Sequence, residues 1–155
     1  MLRDIIRPNS GSPTGITLTQ NSEGIILFED TSRSKTLSIT RENLAFGIKH
    51  SNISGERWLQ TTSNIPTNIL GYKIPRDGTI TAITIQTQNM ANCVFEIKKN
   101  NAISAIHTMS LTNVSEQIND NLNIDVNLGD YIQTKLLVNS GNVDYPLLYL
   151  EIAWR

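Results

Sequence analysis

The chain has one cysteine, Cys93, in 155 residues. That excludes an internal disulfide framework and any multi-cysteine metal site. Charge is also scarce: Asp, Glu, Lys and Arg make up 17% of the chain and the formal net charge is -1. A nucleic-acid binder needs a basic face, so no nucleic-acid partner is expected. Long apolar runs are missing. Ile25 to Phe28 and Leu147 to Leu150 fall far below the ~20 residues of a membrane span, so no membrane insertion is expected. Met1 to Arg7 is charged and lacks an apolar core of signal-peptide length. Only two histidines are present, His50 and His107.

The abundant residues are 21 Ile, 17 Asn and 16 Thr, together 54 of 155. Ile and Thr favour strands and Asn favours turns. Hydrophobic residues reach 39%, enough for a real core and too many for a disordered chain. The composition predicts an all-β protein.

Residues 1–15 read as an extended arm. They hold Pro8, Pro13, Gly11 and Gly15 and show no periodicity. Such a segment buries too little to order itself and would gain structure by lying on a partner. Residues 16–56 read as a small strand-rich module. Ile16 to Thr19 alternates, Ile25 to Phe28 is an apolar run, Thr36 to Thr40 alternates, and Leu44, Phe46 and Ile48 share one face. The polar, irregular stretch His50 to Asn68 suggests a boundary, and residues 57–155 are expected to form an antiparallel, jelly-roll-like β-sandwich.

Within that sandwich, Thr79 to Thr87 is the first strand. Ile80 lies on one parity while Ile83 and Ile85 lie on the other, so a bulge is expected near Ala82. Cys93 to Lys99 is predicted as a separate strand with Phe95 and Ile97 inward, followed by one from Ala102 to Leu111. Leu122, Ile124, Val126 and Leu128 alternate with Asn123, Asp125 and Asn127. Ile132, Thr134, Leu136 and Val138 share a face, as do Leu148, Leu150, Ile152 and Trp154. Six strands at such spacing fit a sandwich. Little helix is expected, and Thr112 to Asn119 is the best short candidate.

No constellation of catalytic residues emerges. The chain has no G-x-S-x-G elbow for a nucleophilic serine. Asp120, Asp125 and Asp130 are the nearest group of carboxylates, yet the alternation around Asp125 assigns it to a solvated strand face. Asp120 to Asp125 fails the calcium-loop pattern, with Leu122 at position 3, Asp125 at position 6 and Tyr131 at position 12. No cofactor, metal or enzymatic activity is expected. Cys93 reads as a small buried hydrophobe. Asn52-Ile53-Ser54 and Asn113-Val114-Ser115 match the glycosylation pattern, as chance allows in an Asn- and Ser-rich chain. Among the aromatics, Tyr131 and Tyr149 fall on the polar parity of their strands together with Lys135. They are the candidate exposed sheet contact.

Several stretches, taken in order, resemble a family of bacteriophage virion proteins described as tail-fibre or appendage proteins. These are Gly24 to Arg33, Lys35 to Ile39, Asn43 to Phe46 and Arg57-Trp58-Leu59, then Gly71-Tyr72-Lys73-Ile74-Pro75-Arg76-Asp77-Gly78-Thr79-Ile80. Phe95-Glu96-Ile97-Lys98-Lys99-Asn100, Asn123 to Gln133, Tyr145-Pro146 and Trp154-Arg155 complete the series. The resemblance implies a virion structural protein, made in the host cytoplasm and resident in the virion. It names no catalytic residue. The implied partners are further copies of the chain, as a homotrimer, and other virion proteins of the tail, adaptor or capsid. A host-surface glycan is a further implied partner. On this reading Arg3, Asp4, Arg7 and Pro8 of the arm dock the subunit, and Tyr131, Lys135 and Tyr149 make a sheet contact. A capsid decoration protein and a host-glycan-binding module are the alternatives.

Overall fold

The computed structural model describes residues 18–20, 22, 24–30, 33, 35–38 and 40–155. The arm residues Arg3, Asp4, Arg7 and Pro8 lie outside the described residues.

All the described regular structure is β, as the composition predicts. Three short strands form one sheet in the order β1-β2-β3: β1 (Leu18–Gln20), β2 (Ile26–Asp30) and β3 (Lys35–Ser38). The other eight belong to a second, larger sheet: β4 (Arg41–Gly47), β5 (Glu56–Trp58), β6 (Tyr72–Lys73), β7 (Gly78–Lys99), β8 (His107–Asn119), β9 (Ile124–Val126), β10 (Tyr131–Ser140) and β11 (Leu147–Trp154). Every ladder is antiparallel.

β7 organises the large sheet. The two strands expected at Thr79 to Thr87 and Cys93 to Lys99 are one strand of 22 residues. Its first half pairs with β11 on one side and with β9 and the end of β8 on the other. Its second half pairs with β10 and the start of β8. The β7–β8 ladder loses register between Gln86 and Ala91. Ile83 and Ile85 of the first half share one buried cluster with Phe95 and Ile97 of the second. One core for both halves requires the sheet to double over at that irregularity. The result is a sandwich whose first layer runs β4-β11-β7-β8/β9 and whose second runs β8-β7-β10-β5/β6.

The bulge expected near Ala82 is present at Thr81. Glu151 pairs with Ala82 and Ile152 pairs with Ile80, leaving Thr81 as the extra residue. This is why Ile80, Ile83 and Ile85 are all buried although their spacing breaks strict alternation. The inward faces of β10 and β11 follow the sequence pattern: Ile132, Thr134, Leu136, Leu148, Leu150 and Ile152 are fully buried.

Two expectations are corrected. Thr112 to Asn119 is not helical; it is the second half of β8. The boundary drawn after residue 56 does not separate two units, because β4 pairs with β11 over its whole length, from Arg41–Ala153 to Gly47–Leu147. A short strand looks like part of its sequence neighbourhood, but its partner here lies 100 to 112 residues away.

The small sheet covers half of the first layer's outer face. Thr79 and Ala153 pair with each other and point outward from that layer, yet they are buried, as are Thr81 at the bulge and Leu37 and Ser38 of β3. The Arg41 guanidinium lies 5.6 Å from the Phe28 ring centroid. Arg33, in the β2–β3 turn, donates from Nε to the Leu122 carbonyl at 2.7 Å and from Nη2 to the Asp120 carbonyl at 3.1 Å.

Candidate functional site

The covered half of the first layer ends where the small sheet ends. Beyond it the outer face carries a row read directly from the registers: Ala45 on β4, Tyr149 on β11, Thr84 on β7 and Ile118 on β8. The next row holds Gly47, Leu147, Gln86 and Glu116. Ile118 is 65% exposed, Tyr145 45%, Leu147 37% and Tyr149 36%. Two depressions flank this apolar ridge. One, of about 640 Å³, is lined by Gln86, Gln88, Ser115 and Glu116; the other, of about 330 Å³, by Phe46, Ile48, Gln60 and Thr61. Both reach Tyr145 and Leu147. An apolar patch rimmed by polar side chains is the usual form of a contact surface.

Of the three residues expected to form a sheet contact, Tyr149 alone lies on this face. Tyr131 and Lys135 stand on β10, in the second layer. Lys135 Nζ pairs with Glu56 Oε2 at 2.5 Å and sits 5.7 Å from the Trp58 ring centroid. The Tyr131 hydroxyl accepts from Asn101 Nδ2 at 2.6 Å. The fold therefore brings Lys135 together with Trp58 and does not bring it to Tyr149. Parity points all three outward, but parity does not say which layer a strand joins. Leu147 carried a legible signal, as an apolar residue on the outward parity of its strand; Ile118 did not, because Thr112 to Asn119 reads as a helix candidate.

The three aspartates do not converge. Asp125 Oδ1 accepts from Lys35 Nζ at 2.5 Å and Thr79 Oγ1 at 3.0 Å, and Arg155 Nη2 lies 3.5 Å away. Burial alone would raise its carboxyl, but the Lys35 and Thr79 bonds and the two cations hold it below the ordinary 3.8. Asp130 is held low as well. Burial is opposed by the Asn127 amide, Asn100 and Lys99. Asp120 is used through its backbone carbonyl. Each acid serves a turn or an ion pair. Among the described residues no cluster of His, Cys, Asp and Glu could hold a metal ion.

A third cleft, of about 490 Å³, lies between the small sheet and the end of the sandwich, with Ile26, Ser38, Pro75 and Arg76 on its walls. Its floor is Glu42. One carboxylate oxygen accepts the Trp154 indole N–H at 2.9 Å, and the other accepts the Tyr72 hydroxyl at 3.3 Å. Burial, then the Glu42 charge and its hydrogen bond, push the Tyr72 hydroxyl above the usual 10.0. Both oxygens are engaged, so the group clamps the two layers together. Cys93 is fully buried on β7, and burial raises its thiol to about 11, against a smaller opposing effect of a hydrogen bond with the Leu111 backbone. It is a core residue, as its sequence context predicts.

The fold and this face define an antiparallel β-sandwich with a partly self-covered outer sheet. No family model matches the chain, and no curated protein matches it. Among solved structures, a chain titled "Crystal Structure of FLHE" aligns with a TM-score of 0.37 and 8% identity, over 74% of this chain and 97% of that one. A likeness that weak carries no argument about this protein.

Proposed function

We propose that this chain is a structural, non-catalytic subunit of a bacteriophage virion, part of a tail fibre or tail appendage. It works as a homo-oligomer, a trimer, and contacts other virion proteins. The reading rests on the resemblance of its motifs in order. The observation that supports it is the half-covered outer face of the first layer. The chain covers Thr79, Thr81 and Ala153 with its own small sheet and leaves Tyr149, Leu147 and Ile118 exposed beside them. A sheet face finished on one side and apolar on the other suits assembly with a neighbour. In this scheme Arg3, Asp4, Arg7 and Pro8 provide the docking arm.

Incorporation into particles tests the proposal. Tyr149→Lys and a deletion of residues 1–13 are each expected to fold and to lower incorporation at least tenfold. Normal incorporation of the deletion overturns the docking role of the arm, and normal incorporation of Tyr149→Lys overturns the role of the face. Copy number decides the location. A few copies per tail support the appendage, whereas hundreds on the shell point to a capsid decoration protein. Saturable binding to host polysaccharide, lost on aromatic substitution, would move the reading to a glycan-binding module.

A further inference from the structure

A β-sheet edge presents unpaired N–H and C=O groups, and proteins normally cap such edges. The large sheet caps parts of its own. β4, an edge strand that carries the charged Arg41 and Glu42, is capped at its end, where the Gly47 amide and carbonyl exchange hydrogen bonds with Gln60 at 2.9 and 2.8 Å. Beyond β5 the Thr67 amide donates to the Leu59 carbonyl at 2.9 Å. Where β8 gives way to β9, the Arg33 guanidinium takes the Asp120 and Leu122 carbonyls. β8 differs. Its 13 residues pair with β7 on one side, and among the described residues no strand lies on the other.

The two halves of β8 are unlike. The second half follows Asn113, which has φ 55° and breaks the register, and it carries Glu116. Such a bulge protects an edge. The first half, from His107 to Thr112, pairs with β7 in unbroken register from Ile97–His107 to Asn92–Thr112. It contains no proline, lysine, arginine, aspartate or glutamate. Thr108, Ser110 and Thr112 are exposed hydroxyls on one face, while Met109 and Leu111 are buried on the other.

We propose that this stretch, Thr108 to Thr112, is a strand-addition site whose occupant is the same stretch of a second copy, paired antiparallel about a two-fold axis at Ser110. The sequence fits itself in that register. Ser110 meets Ser110 of the partner subunit, and Thr108 meets Thr112 of the partner subunit, so hydroxyls pair with hydroxyls across the strands. Met109 meets Leu111 of the partner subunit, which joins the edges of two cores. No charge faces a like charge, because the segment has none. The second layers of two copies then form one continuous sheet. A two-fold contact of this kind is isologous and pairs subunits evenly. It is separate from the proposed trimer and from the Tyr149 face, which lies in the first layer.

The full chain tests it through Ser110, which is exposed in one copy and lies on the axis in the pair. Directly opposed residues have Cβ atoms ~4.5–5.5 Å apart, near disulfide range. Ser110→Cys treated with oxidised glutathione is expected to give a covalent dimer at least ten times faster than Ser104→Cys, an exposed control beyond the strand. Ser110→Lys places two ammonium groups on the axis and is expected to raise the dimer dissociation constant at least tenfold, measured by sedimentation equilibrium, with an unchanged unfolding midpoint at concentrations where both proteins are monomeric. Tyr149→Lys should leave this pairing intact, which separates it from the proposed virion contact. Equal oxidation of the two cysteine variants overturns the proposal. So does an oligomer mass that Ser110→Lys leaves unaltered.

Discussion

The Trp154 indole N–H donates to Glu42 Oε2 at 2.9 Å across 112 residues of chain, and the other oxygen of the same carboxylate takes the Tyr72 hydroxyl. Trp154 is on the last strand of the first layer, and Tyr72 is on β6 of the second. Glu42 thus joins the layers at one end. Its charge and hydrogen bond are the second and third reasons, after burial, that the Tyr72 hydroxyl ionises above 10.0. In Glu42→Gln the charge is gone and burial remains. The Tyr72 transition followed by absorbance at 295 nm should therefore move down toward 10 without fully reaching it. Unfolding in urea should show a loss of about 1 kcal/mol, the usual net worth of such bonds. An unmoved tyrosine titration would remove the carboxylate from the account.

Arg33 holds the small sheet to the sandwich through three main-chain acceptors, the carbonyls of Leu122, Asp120 and Thr81, and it pairs with Asp30 at 2.8 Å. Hydrogen bonds from a charged donor contribute ~1.5–3 kcal/mol where they are well formed. Arg33→Ala should loosen β1 to β3 by about 2 kcal/mol while leaving the large sheet nearly unchanged. Amide exchange is the suitable measurement. Protection should fall selectively in residues 26–38. A uniform fall over both sheets would mean that the small sheet is not the separable part.

These two residues mark the limit of what the sequence alone conveys. Strand parity was readable for β10 and β11 because Ile, Leu and Thr alternate there with polar residues, and one missed beat at Ala82 located a bulge. The buried core and the all-β class follow from the same pattern. Pairing was not readable. Nothing near Arg41 to Gly47 indicates that its neighbour is Leu147 to Ala153, and nothing near Arg33 indicates that its acceptors are 48 to 89 residues away. The β7 strand reads as two because its middle, Gln88 to Ala91, lacks the alternation, although the backbone runs through it. For the surface, parity sent Tyr131, Lys135 and Tyr149 outward. The layer each belongs to depends on long-range pairing, and so does the ion pair that occupies Lys135.

Gly78 opens β7 against the last strand. It pairs with Trp154, and a Cβ built on it would come within 2.8 Å of Trp154 Cε3, 3.0 Å of Ile152 Cγ2 and 3.1 Å of the Ala153 carbonyl. Two of those neighbours are core side chains and the third is backbone, so relief requires movement of β11. Gly78→Ala is expected to cost ~1–3 kcal/mol, the range for overpacking a tight site. Because Trp154 would be displaced, its fluorescence should change in the folded state as well. A stability equal to that of the parent would show that the indole yields freely.

His107 opens β8 with an imidazole whose Nε2 is buried without a hydrogen-bond partner. Burial lowers its pKa below the ordinary 6.5. The unfolded chain therefore takes up this proton at a higher pH than the folded chain does. Stability should be at its plateau above the unfolded value, decline as the pH falls through 6.5, and level off below the native value. Asp125 and Asp130, both held below 3.8, titrate beneath this window and keep their ion pairs across it. Urea unfolding at intervals between pH 7.5 and pH 5 checks the slope, which should correspond to less than one proton. His107→Gln keeps a polar side chain of similar reach and has nothing to protonate, so its profile over the same range should be flatter. A slope that survives the substitution would assign the proton to another group.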